Sequence, residues 1–242
     1  MPLTSGRTAP LRSARPNRAD RVQEQIKQLI LDRNLASGDS MPTELELVSE
    51  LDISRNSVRE ALKALQAIGI VEIRHGFGMY VGRISLGGLV DELTFHQRIR
   101  VAAGANEMDS LIQIREILEC GLLERLITDH PRPDLTAVAA TIDQMAADAE
   151  TGPVQPATDK MFHEQLYSSL QNPLVGPFLG AFWDVYHRLQ GELGAASDSP
   201  SETVRRHRDI YQAVLGADLP AAIAAMRRHF DGVRDRLPRQ SC

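Results

Sequence analysis

One stretch, from Leu47 to Val81, limits what this 242-residue chain can fold into more than any other part of the sequence. Two helical patterns follow each other there across a short turn, and Ser54 stands where the second one begins. Gly69 then stops the helix, and two short extended runs, at 70–74 and 79–81, flank a turn that contains two glycines. Helix, turn, helix and hairpin in this order predict a winged helix-turn-helix.

The segment before this stretch supplies the remaining helix of the domain. Apolar residues recur at helical spacing between Ala19 and Arg33, which predicts a first helix with one face toward a core. Thr43 lies three residues before Glu46, the spacing of a capping box, and this pair predicts the start of the second helix. The N-terminal domain is therefore predicted to consist of three helices and a two-stranded wing.

The exposed residues of the third helix and the wing indicate what this domain binds. An apolar buried face leaves Arg55, Asn56 and Arg59 outward at the start of the helix. Such side chains suit base edges and phosphates in a major groove, and the helix N-terminus also attracts phosphate. At the wing tip, Gly76 lets the backbone approach a groove while His75 offers an imidazole. The sequence therefore predicts DNA binding.

The net charge of -5 is unevenly distributed along the chain. Residues 1–18 carry four arginines and no acid, residues 19–84 carry 8 basic and 10 acidic side chains, and residues 85–242 carry 15 basic and 22 acidic ones. Charges beyond about 10 Å are screened at physiological salt. The basic residues near the third helix therefore matter more for phosphate contact than the net charge of the whole chain. The acidic total does not exclude a DNA-binding protein.

Composition favours a soluble protein in the cytoplasm. Apolar residues make up 43% of the chain, no run of 18 apolar residues occurs, and the N-terminus lacks the apolar centre of a signal peptide. The two cysteines, Cys120 and Cys242, provide neither a disulfide framework nor a cysteine-type zinc site. We therefore expect a cytoplasmic location and no membrane partner.

The C-terminal half carries only helical patterns, separated by short breaks rich in glycine, proline and asparagine. The predicted helices are Val90–Arg100, Met108–Thr128, Pro133–Glu150, Thr158–Leu170, Pro173–Leu193, Ser201–Leu215 and Leu219–Arg236. The predicted fold class is therefore mainly α, a winged helix-turn-helix followed by an antiparallel bundle of about seven helices.

Four polar residues of the predicted bundle have the spacing of a metal site. Asp159 and His163 are four residues apart and share one helix face. His207 lies about 10 residues before the turn at 216–218 and His229 about 11 after it, so the two are level if their helices are antiparallel neighbours. Three imidazoles and a carboxylate suit a divalent zinc, nickel, manganese or iron ion. Most histidines in bundles are structural, and this interpretation is kept for the other three of the bundle: His96, His130 and His187.

Residues 19–84 resemble the DNA-binding domain of the GntR family of bacterial transcription regulators. The resemblance rests on Pro42-Thr43-Glu44, on the run Ser54-Arg55-Asn56-Ser57-Val58-Arg59-Glu60-Ala61-Leu62, on Gly69 and on the wing pattern Gly76-x-Gly78-x-x-Val81. It implies that six residues contact the operator, with the last two entering the minor groove: Ser54, Arg55, Asn56, Arg59, His75 and Gly76. Leu45 departs from the pattern, because many members have a DNA-contacting arginine there.

Residues 107–237 resemble the FCD ligand-binding domain of the FadR subfamily of these regulators. The matching pieces are Arg115-x-x-x-Glu119, Asp159-x-x-Phe162-His163, Ser169-x-x-Asn172 and a histidine pair 22 residues apart, His207 and His229. The resemblance implies a divalent metal, with zinc the favoured ion, bound by Asp159, His163, His207 and His229. The acyl-CoA-binding founder of the subfamily lacks this set, which disfavours acyl-CoA as the effector.

A buried cation attracts anions, so a small organic acid is the expected effector. Arg115 could clamp the carboxylate of the acid, or it could form a salt bridge to Glu119. Asn172, which precedes Pro173, could contact the effector or cap a helix. Both alternatives stay open at the level of the sequence.

The sequence predicts a transcription regulator and not an enzyme, because no general base or nucleophile motif accompanies the metal residues. The expected action is repression of a catabolic operon, relieved by a metal-bound carboxylic acid. In one alternative the ion itself is the signal, and in a weaker one the chain is a metalloenzyme fused to a DNA-binding domain. A homodimer on a palindromic operator is expected. The predicted segments are a disordered basic tail (1–18), the winged helix-turn-helix (19–84), a linker with the first bundle helix (85–106), the effector and metal domain (107–237) and a tail (238–242).

Overall fold

The computed structural model describes residues 18–102, 108–130, 132–189 and 199–235. These residues form two compact units that divide between Ser85 and Leu86. Predicted features that lie wholly or partly outside the described residues include the basic tail up to residue 17, the linker from residue 103, the end of the helix 173–193 from residue 190, the end of the helix 219–236 and the tail 238–242.

The N-terminal unit is the winged helix-turn-helix that the sequence predicts. Its elements are α1 (Arg18–Asp32), α2 (Glu44–Leu51), α3 (Arg55–Ala67) and an antiparallel hairpin of β1 (Val71–Arg74) and β2 (Gly78–Val81). One apolar core joins all of them, and its fully buried side chains include Ile26, Leu47, Val58 and Leu65. Because α3 buries this apolar face, its polar face is left to solvent.

Local hydrogen bonds determine where α2 and α3 begin and end. The Thr43 N–H donates to the Glu46 carboxylate at 2.7 Å, and the Glu46 N–H donates to the Thr43 hydroxyl at 3.4 Å, which confirms the capping box. The Ser57 N–H donates to the Ser54 hydroxyl at 3.3 Å at the start of α3. Gly69 adopts a φ of +76°, the left-handed conformation that follows the end of α3.

A short backbone segment before α2 supports the wing. Val71 pairs with Val81 across the hairpin, and the Val81 N–H also donates to the Asp39 carbonyl at 2.9 Å. The Met41 N–H donates to the Met79 carbonyl at 2.8 Å. Since an isolated two-stranded hairpin is only marginally stable, this additional backbone pairing helps to hold the wing in place.

Gly82, at the exit from the wing, lies where no larger side chain fits. Its N–H donates to the Ile70 carbonyl at 2.8 Å, and a Cβ at this position would lie 1.9 Å from the Gly69 carbonyl oxygen. Replacing Gly82 with alanine is expected to destabilise the N-terminal unit by roughly 1–3 kcal/mol, because backbone must move to relieve the clash. Urea denaturation followed by circular dichroism measures this effect. Gly88→Ala, whose Cβ would meet nothing within 4 Å, is the control, and equal midpoints for the two variants would contradict the prediction.

In the described part of the chain, the C-terminal unit has the seven helices that the sequence predicts. They are α4 (Gly87–Ala102), α5 (Met108–Asp129), α6 (Thr136–Thr151), α7 (Pro156–Leu166), α8 (Val175–Arg188), α9 (Pro200–Leu215) and α10 (Leu219–Arg234). Two of them end several residues before their predicted ends: α8 ends at Arg188, and α7 ends at Leu166, where a 3-10 turn, Ser168–Leu170, follows. Gln171 closes that turn with a φ of +50°, a left-handed conformation that cannot continue a helix.

Packing of the bundle brings α9 and α10 side by side, joined by the turn 216–218. Because the turn is short, the two helices are antiparallel, and residues equally distant from it lie level. Large apolar side chains fill the core between α5, α6, α7 and α10, among them Leu123, Met145, Phe162 and Phe230. Among the described residues, no helix is both long and apolar enough to cross a membrane.

Candidate functional site

Three buried histidines from different helices meet inside the bundle. His163 of α7, His207 of α9 and His229 of α10 are 1%, 0% and 6% exposed. One side-chain nitrogen from each ring lies within 4.8 Å of the other two. The antiparallel packing of α9 and α10 gives His207 and His229 a ring-centroid distance of 4.6 Å, as the level positions in the sequence predict. The structure thus brings three of the four predicted metal residues into one compact group, here called the histidine cluster.

Hydrogen bonds determine which ring nitrogen carries the hydrogen in two of these residues. The His207 Nδ1 lies 2.8 Å from the Thr203 carbonyl oxygen, which can only accept, so Nδ1–H donates and a neutral ring keeps its lone pair on Nε2. The His163 Nδ1 donates in the same way to the Glu119 carboxylate at 2.6 Å. Both Nε2 atoms are buried and have no hydrogen-bond partner among the described residues. Two imidazole nitrogens are therefore buried without a hydrogen-bond partner among the described residues, which is uncommon in a folded protein.

Asp159, one turn before His163 on α7, adds a carboxylate to the histidine cluster. Its Oδ1 lies 3.0 Å from the His207 Nε2 without the alignment of a hydrogen bond. Burial raises the pKa of Asp159, but the adjacent histidines, His207 foremost, outweigh it and hold that pKa well below its usual range. Burial and the neighbouring imidazoles lower the pKa of His229 well below its ordinary value. A carboxylate packed this close to buried imidazole nitrogens is an arrangement that a cation stabilises.

Glu119 of α5 connects the histidine cluster to two further side chains. Besides His163, its fully buried carboxylate accepts hydrogen bonds from the Arg115 Nε at 2.7 Å and from the Tyr167 hydroxyl at 3.2 Å. Burial raises the pKa of Glu119, but His163 and Arg115 outweigh it and lower that pKa to about 2. The ionised carboxylate therefore orients the His163 ring. The sequence identified Glu119 as part of the Arg115-x-x-x-Glu119 piece and as an alternative partner of Arg115, and it gave no signal for Tyr167.

A cavity of about 300 Å³ opens beside the histidine cluster. Asp159 and His229 line it, and so does Arg115, which is 7% exposed. The Arg115 Nε is bound to Glu119, but the two Nη nitrogens make no hydrogen bond to any described residue. A carboxylate in this cavity can therefore meet a guanidinium group and the edge of the histidine cluster at the same time.

Asn172, the other predicted effector residue, is not among the residues that line this cavity. It is exposed, and its Oδ1 accepts a hydrogen bond from the Leu174 N–H at 3.0 Å while its carbonyl accepts one from the Val175 N–H at 3.2 Å. These bonds form an Asx-type turn two residues before Leu174, the N-cap of α8, and they do not make Asn172 the cap itself. The structure thus brings Arg115 to the histidine cluster but leaves Asn172 outside it.

In the N-terminal unit, the predicted DNA-contacting residues of α3 lie together at its exposed start. Ser54, Arg55, Asn56 and Arg59 are all exposed. Glu44, the first residue of α2, accepts a hydrogen bond from the Arg55 Nε at 2.7 Å and lies 3.8 Å from the Arg59 Nε. This carboxylate, whose contact the sequence did not reveal, keeps the two guanidinium groups side by side on the outer face of the unit.

The wing tip presents the other two predicted contact residues, His75 and Gly76, both exposed. Gly76 has a φ of +81°, a backbone conformation that residues with a Cβ rarely adopt. The Tyr80 hydroxyl donates to the Phe77 carbonyl at 3.0 Å, and the Arg74 guanidinium lies 4.2 Å from the centre of the Tyr80 ring. These contacts brace the tip, so an imidazole and an open backbone project from a supported hairpin.

Comparison with known protein families gives one match in each unit. Residues 18–81, which include α3 and the wing, match the model described as bacterial regulatory proteins, gntR family. Residues 110–232, which include the histidine cluster, Glu119 and Arg115, match the model described as FCD domain. Both groups of candidate residues therefore lie within family-matched segments.

Relatives match nearly the whole chain, across both units. The HTH-type transcriptional regulator LutR of Bacillus subtilis is 26% identical over 214 residues, 86% of this chain and 96% of its own length. The HTH-type transcriptional repressor NanR of Escherichia coli is 27% identical over 234 residues, 94% of this chain and 86% of its own length. A solved structure described as Streptococcus agalactiae GntR is 25% identical, has a TM-score of 0.65, and is matched over 90% of this chain and 99% of that one.

Proposed function

Because the chain belongs to the FadR subfamily of GntR-family DNA-binding transcription regulators, with an FCD domain, we propose that it represses a catabolic operon and is released by a small carboxylic acid bound beside a divalent metal. The single observation that carries this proposal is the histidine cluster. Two of its buried Nε2 atoms have no hydrogen-bond partner among the described residues, and the cluster adjoins the Asp159 carboxylate and a cavity lined by His229 and Arg115.

The ligands of the proposed metal are His163, His207, His229 and Asp159. The donor set fits, because histidine nitrogens and a carboxylate oxygen are the ligands of zinc and related divalent ions, and two of the rings already have the tautomer that leaves Nε2 available. When bound, such an ion supplies positive charge and open coordination positions for an anion. Zinc remains the first ion to test.

Arg115 is the proposed partner of the effector carboxylate. It is buried against the Phe230 ring, with 5.4 Å between the guanidinium carbon and the ring centre, and Glu119 fixes its Nε. A guanidinium held in this way meets a carboxylate at little cost in side-chain entropy. Since Glu119 also orients His163, the anion contact and the metal ligands share one network of hydrogen bonds.

The proposed operator contacts are Ser54, Arg55, Asn56 and Arg59 on α3, with His75 and Gly76 on the wing. A homodimer would place two such faces on the half-sites of a palindrome. An acid that binds one arrangement of the dimer better than another must change operator affinity, and linkage requires that operator DNA change acid affinity by the same factor.

The test uses the full chain and an operator selected from a random duplex library. Fluorescence anisotropy gives the operator Kd of zinc-loaded protein with and without each member of a panel of carboxylic acids. At least one acid is expected to raise that Kd by about 5–150-fold, the usual range of allosteric coupling. Protein stripped of zinc by a chelator is expected to lose most of this response.

Two results would contradict the proposal. If zinc addition and removal change operator affinity but no acid does, the ion itself is the signal and the acid is not the effector. If an acid binds but tightens operator binding, release of a repressor is the wrong mechanism. An acid response of the same size in zinc-free protein would count against the metal.

Glu119 gives a sharper test of the metal site, because it touches a proposed ligand without being one. Glu119→Gln keeps the side-chain shape but removes the charge that holds the His163 tautomer, so zinc affinity is expected to fall about 10–100-fold. Competition with a zinc-binding dye measures the change. Glu124→Gln, an exposed position on the same helix, is the matched control. Equal zinc affinity in both variants would show that Glu119 does not support the proposed metal site.

A further inference from the structure

The walls of the cavity beside the histidine cluster are mostly apolar. Six of its lining residues have apolar side chains, and three of them are prolines: Pro153, Val154, Pro156, Trp183, Pro200 and Val233. With a volume of about 300 Å³ it lies at the small end of ligand pockets, so its ligand is small. A ligand that fits must present an apolar body to most of this surface.

Two polar side chains on the cavity wall, Thr203 and Arg206, are engaged within the protein. The Thr203 hydroxyl donates to the Ser199 carbonyl at 3.4 Å. Arg206 donates to Glu202 at 3.3 Å and also to the Arg228 carbonyl. A polyhydroxylated acid would have to compete for these existing bonds, and each buried hydroxyl that stays unpaired costs binding energy.

Trp183 supplies a flat, held surface in the same cavity. Its ring stacks on His187 with 4.7 Å between centres and 16° between planes, and the Lys160 Nζ lies 5.0 Å from the indole. Lys160 is itself fixed by Asp184 at 3.0 Å. A planar apolar ring packs well on such an aromatic and proline surface. The cavity thus combines one anion-binding residue, Arg115, with walls suited to a ring.

We propose that the effector is a small aromatic monocarboxylic acid, with its carboxylate at Arg115 and the histidine cluster and its ring against Trp183 and the prolines. This inference rests on the proposed function, since it names the class of acid that the same site takes. It separates a benzoate-like ligand from aliphatic hydroxy acids and sugar acids, which carry the same charge but no aromatic ring.

The only tryptophan in the chain is Trp183, so its fluorescence reports directly on this cavity. Zinc-loaded full-length protein is titrated with benzoate, with gluconate and with benzyl alcohol. Benzoate is expected to give a saturable change in Trp183 emission, with a Kd at least 10-fold lower than that of gluconate. Benzyl alcohol, which has the ring without the charge, is expected to bind at least 10-fold more weakly than benzoate.

Calorimetry on Trp183→Leu completes the test, because this variant lacks the fluorophore. It is expected to bind benzoate about 10-fold more weakly while binding zinc as tightly as the unmodified chain does. Gluconate that binds as tightly as benzoate, or tighter, would overturn the aromatic class and leave the metal-and-acid function standing. Binding of neither acid to zinc-loaded protein would overturn the aromatic class, while the wider panel of carboxylic acids would still decide the proposed function. Unchanged benzoate affinity in Trp183→Leu would overturn the assigned position of the ring.

Discussion

Replacing His163 with alanine is expected to abolish zinc binding by the full chain. The change removes one of three buried imidazoles whose nitrogens lie within 4.8 Å of one another, and it leaves the Glu119 carboxylate without its imidazole donor. In the unmodified protein, free zinc at 100 times its Kd should stabilise the fold by about 2.7 kcal/mol. The variant should show neither this stabilisation in thermal unfolding nor bound zinc in elemental analysis after dialysis.

A second variant separates loss of the metal from damage to the core. Asp159 lies closer to the surface than His163, because its side chain is 29% exposed. Asp159→Asn should therefore weaken zinc binding while the circular dichroism spectrum stays unchanged. His96→Ala, an exposed histidine on α4, should bind zinc at full stoichiometry. Full zinc occupancy in both His163→Ala and Asp159→Asn would show that the histidine cluster is not the metal site.

Much of the histidine cluster could be predicted, because helical geometry determines which of its residues share a face and which lie level. The spacing of Asp159 and His163 places them on one face whatever surrounds the helix. The level positions of His207 and His229 needed one further condition, that α9 and α10 are antiparallel neighbours, and the short turn at 216–218 ensures it. Local rules also placed the caps of α2 and α3, since those bonds join residues only three apart.

The remaining parts of the sites depend on contacts between distant segments, which no local pattern encodes. Tyr167 reaches Glu119 across 48 residues, from the place where α7 ends and the chain turns. Trp183 enters the cavity wall only because α8 packs beside α7. Glu44 contacts Arg55 across the helix-turn-helix, so the pairing follows from the angle between two helices and not from spacing along one. The ambiguity at Asn172 had the same origin, because a cap and a ligand contact look alike in sequence.

The pairing of Glu44 with Arg55 and Arg59 bears directly on how α3 meets DNA. The side chains of the two arginines are 65% and 57% exposed, and solvent-exposed ion pairs contribute at most about 1 kcal/mol. Phosphate can therefore compete for both guanidinium groups at small cost. Before DNA arrives, Glu44 holds them on one face, which reduces the side-chain entropy that binding must remove.

Replacing both Arg55 and Arg59 with alanine is consequently expected to weaken operator binding by about 2–6 kcal/mol, if each side chain contributes about 1–3 kcal/mol and the contributions add. This corresponds to roughly 30-fold to more than 10,000-fold in Kd. The slope of log K against log salt should also become shallower by about 0.9 for each phosphate that the variant no longer neutralises. Anisotropy titrations of the selected operator at several salt concentrations measure both quantities.

Arg33→Ala is the matched control, because Arg33 is an exposed arginine of the same unit that pairs with Glu50 at 2.6 Å and lies outside α3. It should leave the operator Kd and the salt slope within error of the unmodified protein. A change in affinity without a change in slope in the double variant would assign the arginines to base edges and not to phosphates. If the double variant binds the operator as tightly as Arg33→Ala does, the exposed face of α3 is not the DNA-reading surface, because the double variant removes both arginines from the start of that face.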